Sequence, residues 1–164
     1  PKVPCTFDAT QDGAAVRAKM EVDGETWLVT AVSMGNPHCV TFGKEGQCDA
    51  GGIKLDEFAL SHYGPMFEKH PTFPAKTNTE FTEVVNRNYV KMHVWERGAG
   101  LTRACGTGAC ATAVAAIRRK LTSGPVTVTL PGGDLVIDWT PGGTIQMIGP
   151  ATHVFDGEAD WTRF

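Results

Sequence analysis

Cys105 is the residue whose surroundings most clearly predict chemistry. It immediately precedes GTGACATAVAAI, residues 106–117, which contain no charged side chain. This run predicts a helix whose first backbone N–H groups, beside Gly106, Thr107 and Gly108, are not blocked by large side chains. A helix N-terminus carries about half a positive charge, so it can hold a carboxylate or a phosphate. The same field predicts that the pKa of the Cys105 thiol lies below its free value of about 8.5.

A second group of candidate residues lies in turns and at strand ends. Glu96 and Arg97 are followed by two nearby glycines that allow a sharp bend. An arginine there can bind a carboxylate through two hydrogen bonds, and a glutamate can hold an ammonium group. Taken singly, these two residues are also typical of a solvated surface pair. Asn36 and His38 in a Gly/Pro turn, and Asn78 before a strand, are equally consistent with structural roles.

The cysteine pattern favours a reducing compartment and free thiols. The number of cysteines is odd, and none forms a C-x-x-C pair. Neither the cysteines nor the histidines show the spacing of a metal site, so no metal is expected. Cys110 falls inside the predicted helix, where packing is its expected role. The cysteines are Cys5, Cys39, Cys48, Cys105 and Cys110.

Length and charge exclude several classes of protein. The chain has 164 residues and a formal net charge of −3, which predicts one domain and no broad nucleic-acid-binding surface. No apolar run approaches the roughly 20 residues that span a bilayer, so no membrane insertion is expected. The chain begins at Pro1 without an initiator methionine. We therefore expect a processed product or a piece of a longer protein.

The remaining patterns predict mostly strands. Asp23-Gly24 is a strong hairpin signal between two β-rich runs, and the apolar spacing of residues 55–68 predicts a helix broken at Gly64-Pro65. The uncharged run 106–117 is expected to be buried on all sides, with Arg118-Arg119-Lys120 at its emerging end. The predicted fold is α+β, a strand-rich, barrel-like sheet wrapped around one central buried helix. The extended segments are predicted at 14–22, 26–33, 39–42, 73–77, 79–85, 89–96, 125–130, 134–139, 144–148 and 152–157.

Several motifs taken together resemble one enzyme family. They are MGNPHCV (34–40), NTEF (78–81), WERGAG (95–100) and ACGTGAC (104–110), with LPGG (130–133) and GPA (149–151) further on. In this order they resemble diaminopimelate epimerase. Residues 64–81 are most similar to the plant, algal and cyanobacterial versions.

The resemblance implies a specific reaction and specific roles. The family interconverts LL- and meso-diaminopimelate in lysine biosynthesis, without pyridoxal phosphate, another cofactor or a metal. Two cysteines lie on either side of the substrate α-carbon, one removing a proton and the other delivering one. The small-molecule substrate and a second copy of the chain are the implied partners, and the cytoplasm or the plastid stroma is the implied location. By position, Cys105 is one of the two thiols, Gly106 and Thr107 hold the reacting carboxylate, Asn36, Asn78, Glu96 and Arg97 bind substrate, and His38 and Glu96 tune cysteine ionisation.

The resemblance covers only part of the family's architecture. The family has two similar halves, each a strand-rich barrel around a helix, and its other cysteine lies in a Cys-Gly-Asn-Gly motif of the N-terminal half. That motif does not occur here. We therefore expect residues 1–164 to form a single C-terminal domain that lacks its N-terminal partner half and is inactive alone.

Three other functions remain open at this point. The chain could be a non-catalytic amino-acid-binding module or a proline-type racemase domain. A hydrolase with Cys105 as nucleophile is disfavoured, because a cysteine-phosphatase loop needs arginine six residues later and position 111 is alanine.

Overall fold

A single mixed sheet and two α-helices dominate the part of the chain that the structure describes. The computed structural model describes residues 5–7, 15–48 and 52–163. The sheet has nine strands in the order β1-β2-β3-β4-β5-β7-β8-β9, with β6 pairing against β5. The elements are β1 Ala18–Val22, β2 Glu25–Ser33, β3 Pro37–Lys44, α1 Leu60–Glu68, β4 Asn78–Asn86, β5 Tyr89–Glu96, β6 Gly100–Thr102, α2 Gly106–Arg118, β7 Val126–Leu130, β8 Gly133–Asp138 and β9 Gln146–Ile148, with short 3-10 helices at Leu55–Glu57 and Trp161–Arg163.

The first predicted hairpin is confirmed. Strands β1 and β2 are antiparallel, and Val22 pairs with Glu25 across the turn. Asp23 and Gly24 both have positive φ, 55° and 73°, as a tight two-residue hairpin turn requires. Residue 14, the first residue of the predicted segment, lies outside the described residues. Strands β4 and β5 also form an antiparallel hairpin, which is joined at residues 87–88.

The two parallel strand pairs explain where the helices lie. Strand β3 runs parallel to β4, and β5 runs parallel to β7. Parallel neighbours need a long crossover connection, and each of these two crossovers contains one helix. Along β3, Cys39 packs in a cluster with α1, whereas its neighbour Val40 packs with α2. Because successive strand residues point to opposite faces, the two helices cover opposite faces of the sheet.

Helix α2 is enclosed by the curved sheet, as predicted. It contacts β2, β3, β4, β5, β7 and β8. Small side chains allow this close approach, because five alanines of the helix are fully buried. The expectation of burial on every side was wrong for one stripe of the helix. Thr107 is exposed, and the side chains at Cys110, Val114 and Ile117 are partly exposed. The buried alanines are Ala109, Ala111, Ala113, Ala115 and Ala116.

The predicted helix break at Gly64-Pro65 is also wrong. The interruption falls at Phe58, and α1 then continues through Pro65 to Glu68. The helix persists because its second half is anchored. Gly64 lies against the Trp95 ring so closely that a Cβ there would overlap the ring. Phe67 is fully buried, which further holds this turn in place.

Two strand predictions are wrong, and one strand was not predicted. Residues 73–77 form no strand, since 74–75 form a turn and Lys76 has a positive φ of 57°. Residues 152–157 are exposed and form no strand, because no described strand lies beyond β9 to pair with them. Strand β6 was not predicted, since its three residues follow a glycine turn and one of them, Leu101, is exposed. Within the described ranges, no helix is both long enough and apolar enough to cross a membrane.

Candidate active site

Cys105 caps the N-terminus of helix α2. Its backbone is extended, with φ −150° and ψ 101°, as an N-cap position requires. Its sulfur accepts a hydrogen bond from the Gly108 backbone N–H at 3.3 Å. The Thr107 hydroxyl lies 3.6 Å from the same sulfur. The predicted helix start beside this thiol is therefore confirmed, and two donor groups face the sulfur.

A cavity of about 560 Å³ opens in front of this helix start. Glu96, Cys105, Gly106 and Thr107 line it, so the fold brings these four predicted site residues together. Cys110 and Met147, which were not predicted as site residues, also line this cavity. Cys110 lies five residues after Cys105 in the chain, so both thiols reach the cavity from helix α2.

A chain of polar side chains leads from the helix start into the sheet. The Asn36 amide nitrogen donates to the Thr107 hydroxyl oxygen at 3.3 Å. The Asn36 amide oxygen lies 3.1 Å from His38 Nε2. On the other side of the ring, His38 Nδ1 lies 2.6 Å from Glu80 Oε1. His38 and Glu80 are both fully buried, so the predicted residues Asn36 and His38 connect Cys105 to a carboxyl group inside the fold.

Asn78 and Arg97 form a separate pair beside the cavity. The Asn78 amide oxygen accepts from the Arg97 backbone N–H at 2.8 Å, and its nitrogen donates to the Pro37 carbonyl at 3.2 Å. The Arg97 guanidinium donates to the Ala75 carbonyl at 3.0 Å. Neither side chain is among those that line the cavity. In this arrangement, Asn78 fixes the backbone of the turn that carries Arg97.

The turn that follows β5 positions Glu96. Gly98 and Gly100 have φ of 81° and 77°, which allows the chain to reverse directly into β6. In the resulting hairpin, the Thr102 hydroxyl donates to Glu96 Oε1 at 2.5 Å. The bend that the glycines predicted is present, and it places Glu96 at the cavity while Arg97 faces solvent.

Glu68 of α1 supports this turn from the opposite face of the sheet. Its carboxylate accepts from Trp95 Nε1 at 2.9 Å and from the Gly98 backbone N–H at 3.1 Å. The hydrogen bond from Trp95 lowers the pKa of Glu68 below its ordinary value. No sequence pattern indicates this role, because Glu68 and Gly98 are 30 residues apart in the chain.

The expectation that Cys105 ionises unusually easily is wrong for this arrangement. Partial burial raises the pKa of the Cys105 thiol above its ordinary value, although the bonds from Thr107 and Gly108 lower it. The nearby carboxyl groups of Glu80 and Glu96 also raise it. Here the free-energy cost of removing the thiolate from water is larger than the stabilisation that the helix N-terminus provides. Burial likewise raises the pKa of Cys110.

Glu80 is the polar site residue that the sequence motifs did not single out. It follows Asn78 by two positions, so both lie on the same face of β4. Its pairing with His38 depends on the parallel register of β3 and β4, in which His38 lies opposite Asn78 and Val40 opposite Glu80. Burial raises the pKa of the Glu80 carboxyl. Among the described residues, no group of three or more acidic, histidine or cysteine side chains is arranged to hold a metal ion.

Fold and site together define a class: an α+β domain with a cysteine thiol at the start of an enclosed helix. The diaminopimelate epimerase family model matches residues 30–154, and the chain belongs to that family. It is 51% identical over 160 residues to the Oryza sativa subsp. japonica protein named "Diaminopimelate epimerase, chloroplastic", covering 97% of this chain and 44% of that protein. It is 50% identical over 159 residues to diaminopimelate epimerase of Synechococcus elongatus, covering 97% of this chain and 53% of that protein.

The chain spans about half the length of the curated relatives it matches. Among solved structures, a Bacillus anthracis phenazine biosynthesis protein of the PhzF family aligns with a TM-score of 0.47 and 19% identity, over 74% of this chain and 38% of that one.

Proposed function

We propose that this chain provides one of the two acid/base thiols of a diaminopimelate epimerase. The enzyme interconverts LL- and meso-diaminopimelate in lysine biosynthesis without pyridoxal phosphate or a metal. The single observation that carries the proposal is the position of Cys105. Its sulfur caps an enclosed helix, accepts an N–H bond from Gly108 and faces an open cavity.

The proposed reaction is a proton exchange at the substrate α-carbon. The Cys105 thiolate removes the α-proton, so the Cα–H bond breaks and an S–H bond forms. A thiol on the opposite face then gives its proton to the α-carbon, which inverts the configuration. The backbone N–H groups at Gly106 and Thr107 would hold the α-carboxylate, where charge develops as the proton leaves. In the reverse direction the two sulfurs exchange roles.

Inversion needs a second thiol on the side of the substrate opposite to Cys105. All five cysteines lie in the described ranges, and only Cys105 and Cys110 line the cavity. Both belong to the start of α2, so a proton returned from either arrives from the side of that helix. The opposing thiol is therefore proposed to come from an N-terminal half in a protein of the relatives' length.

The first test compares the 164-residue chain with the chain plus an N-terminal half that bears the second cysteine. Circular dichroism follows conversion of LL-diaminopimelate, and mass spectrometry follows exchange of its α-proton in D₂O. We expect no inversion by the chain alone and sustained inversion by the combination. Inversion by the chain alone, abolished by Cys105→Ala, would overturn the two-half proposal.

A matched pair of variants in the full-length enzyme tests which thiol reacts. Cys105→Ala is expected to lower turnover at least about a hundredfold, since it removes a general acid/base. Cys110 lies on the same helix and lines the same cavity, but Cys110→Ala is expected to keep most of the activity. Substrate binding without any α-proton exchange in the unmodified full-length protein would instead favour an amino-acid-binding module.

Arg97 and Glu96 are proposed to recognise the distal amino-acid end of the substrate, with Asn36 and Asn78 beside them. Arg97→Lys should then raise the substrate Kd about tenfold or more, since lysine cannot reproduce a planar two-pronged contact. An unchanged Kd would make Arg97 an ordinary surface residue.

One relative is named chloroplastic and another is cyanobacterial, so we propose the plastid stroma or the cytoplasm as the place of action. A second copy of the chain remains a proposed partner, which light scattering would detect.

A further inference from the structure

Glu80 is a buried acidic group that the proposed reaction leaves without a role. It has no exposed surface, and its Oε1 lies 2.6 Å from His38 Nδ1. Its other oxygen, Oε2, has no hydrogen-bond partner among the described residues. Burying an unpaired carboxylate is expensive, so the pair with His38 must satisfy most of its polarity. A group kept in the core at such cost needs an explanation.

The burial of the pair restricts where its protons can be. A negative Glu80 beside a neutral ring would leave one uncompensated charge in the core, which burial disfavours. A neutral ring with its hydrogen on Nδ1, beside a protonated carboxyl, would leave Nε2 bare against the Asn36 amide oxygen. The two other neutral arrangements are a protonated carboxyl that donates to His38 Nδ1 and a carboxylate paired with a doubly protonated ring. In both of these, His38 Nε2 carries a hydrogen. The atom that faces Nε2 is the Asn36 amide oxygen, at 3.1 Å, which can only accept.

A proton on Nε2 sets the direction of the bonds that follow. Because the Asn36 oxygen accepts from His38, its amide nitrogen is the group that points to Thr107 and donates to the hydroxyl oxygen. The single hydrogen of the Thr107 hydroxyl is then left for the Cys105 sulfur, 3.6 Å away. The sulfur then has two hydrogen-bond donors, the Thr107 hydroxyl and the Gly108 backbone N–H. Two donors stabilise a thiolate.

We propose that Glu80 is a positioning residue for Cys105. By holding His38 through Nδ1, it keeps Nε2 protonated, and the ordered bonds through Asn36 leave the Thr107 hydroxyl to donate to the Cys105 sulfur. The inference deepens the proposed function, because it rests on Cys105 being the reacting thiol. Glu80 itself touches neither the cavity nor the proposed substrate.

As a negative charge alone, Glu80 would have the opposite effect on the pKa of Cys105. A negative carboxylate near a thiol disfavours the thiolate, and Glu96 on β5 acts on Cys105 in this way as well. Cys110 on its own helix also interacts with Cys105, and His38 on β3 is connected to the sulfur only through Asn36 and Thr107. If Glu80 acted only as a charge, removing that charge would lower the pKa of Cys105. If Glu80 orders the hydrogen bonds, losing its bond to His38 raises that pKa.

The experiment measures Cys105 directly in the full-length protein. Site-resolved iodoacetamide labelling from pH 6 to 10 gives the pKa of Cys105, with Cys110 on the same helix as the internal reference. Nitrogen chemical shifts of the His38 ring report which ring nitrogen is protonated. Neither measurement depends on turnover. Failure of the proposed function, seen as full activity of Cys105→Ala, is therefore distinguishable from failure of this inference.

Two substitutions at Glu80 separate the roles. Glu80→Gln can still donate a hydrogen bond to Nδ1, so Nε2 stays protonated and the pKa of Cys105 stays near its unsubstituted value. Glu80→Leu cannot, and it should raise that pKa by about one unit, a tenfold loss of thiolate at neutral pH. The Cys110 labelling profile should stay the same in both variants. A lower Cys105 pKa in Glu80→Gln, or an unchanged one in folded Glu80→Leu, would overturn the inference.

Thr107→Val tests the same chain of bonds without disturbing the core. Thr107 is exposed, so this variant should fold even if Glu80→Leu does not. It removes the last donor and should raise the pKa of Cys105 by a similar amount, about one unit. Combined with Glu80→Leu it should add little, because both act through one hydroxyl. A Thr107→Val protein with an unchanged Cys105 pKa would show that the hydroxyl does not reach the thiol, and the proposed role of Glu80 would fall.

Discussion

The two faces of the sheet are packed in opposite ways. On the α1 face, Trp27 lies at the centre of an aromatic cluster, with edge contacts to Tyr63 at 5.1 Å and Phe67 at 5.2 Å between ring centroids. On the α2 face, the helix presents alanines to the sheet, and the buried polar pair His38 and Glu80 lies beside it. Large rings fill space on one face. Small side chains on the other let the strands close around a helix and hold polar groups near its start.

The same strands serve both faces. Along β4, Phe81 packs into the aromatic cluster, whereas its neighbour Glu80 lies beside the start of α2. The aromatic face therefore fixes the strands from which the site residues project. This division predicts that the α1 face is sensitive to losing volume and the α2 face to gaining it.

Truncation of an aromatic ring on the α1 face should have the largest effect. Phe67 is fully buried and contacts the rings of Trp27 and Phe81. Phe67→Ala should lower the free energy of unfolding by about 3–5 kcal/mol, through lost burial and the cavity that remains. Urea denaturation measures this loss. Met66→Ala is the matched control on the same helix, since Met66 is 39% exposed, and it should cost far less. Equal losses at the two positions would contradict a filled aromatic face.

Enlargement on the α2 face should have the next largest effect. Ala113 is fully buried in the cluster with Val90 and Met92. Ala113→Leu should lower the free energy of unfolding by about 1–3 kcal/mol, because the added carbons have no space between helix and sheet. Val114→Leu adds volume one residue later on the partly exposed stripe and should be nearly neutral. The two faces would be alike in packing if Ala113→Leu were also neutral by urea denaturation.

Glu68 of α1 holds the turn that positions Glu96 at the cavity, and its contribution to stability should depend on pH. Its pKa is lowered in the fold, so its ionised form stabilises the protein above the unfolded pKa of about 4.3. That contribution is lost as the pH falls through the folded pKa. Glu68→Gln keeps an acceptor for Trp95 but not the charge, and should cost about 1 kcal/mol at pH 7. The difference from the unsubstituted protein should shrink below pH 4.

Chemical denaturation at several pH values checks this prediction. Glu57→Gln, at an exposed position before α1, is the control that should show no such pH-dependent difference. A constant cost of Glu68→Gln from pH 7 to pH 3 would mean that the charge of Glu68 does not stabilise the turn at Gly98.

The local parts of this fold could be predicted from the sequence. The hairpin at Asp23-Gly24 and the helix after Cys105 both follow from residues adjacent in the chain, and both are confirmed. The pairing of Glu80 with His38 could not be predicted, because it depends on parallel strands 42 residues apart. The pKa direction of Cys105 was missed for a related reason. The helix terminus is local, but the burial that opposes it comes from the whole fold.

The smallest expected change in stability tests how closely the two strands and the helix meet at the site. A Cβ on Gly108 would lie 2.9 Å from Glu80 Oε1 and 3.1 Å from the Cys105 sulfur. Gly108→Ala therefore gains helix propensity but must displace one of these groups, so its net effect on unfolding should stay below about 1 kcal/mol. Its effect on Cys105 should be clear, because the sulfur loses its close contact with the Gly108 N–H. We expect labelling of Cys105 to slow several-fold at pH 8.

Gly106→Ala, two residues earlier at the first position of the helix, is the matched control. A Cβ at position 106 would meet only the side chain of Met147, whose Sδ would lie 3.2 Å away. That side chain is flexible and exposed, so it can move away. Labelling of Cys105 should therefore stay within about twofold of the unsubstituted rate, a difference of roughly 0.4 kcal/mol in the barrier. If Gly106→Ala slows labelling as much as Gly108→Ala does, the effect arises from general disturbance of the helix start. In that case the close approach of Glu80 to Gly108 would not be what restricts position 108 to glycine.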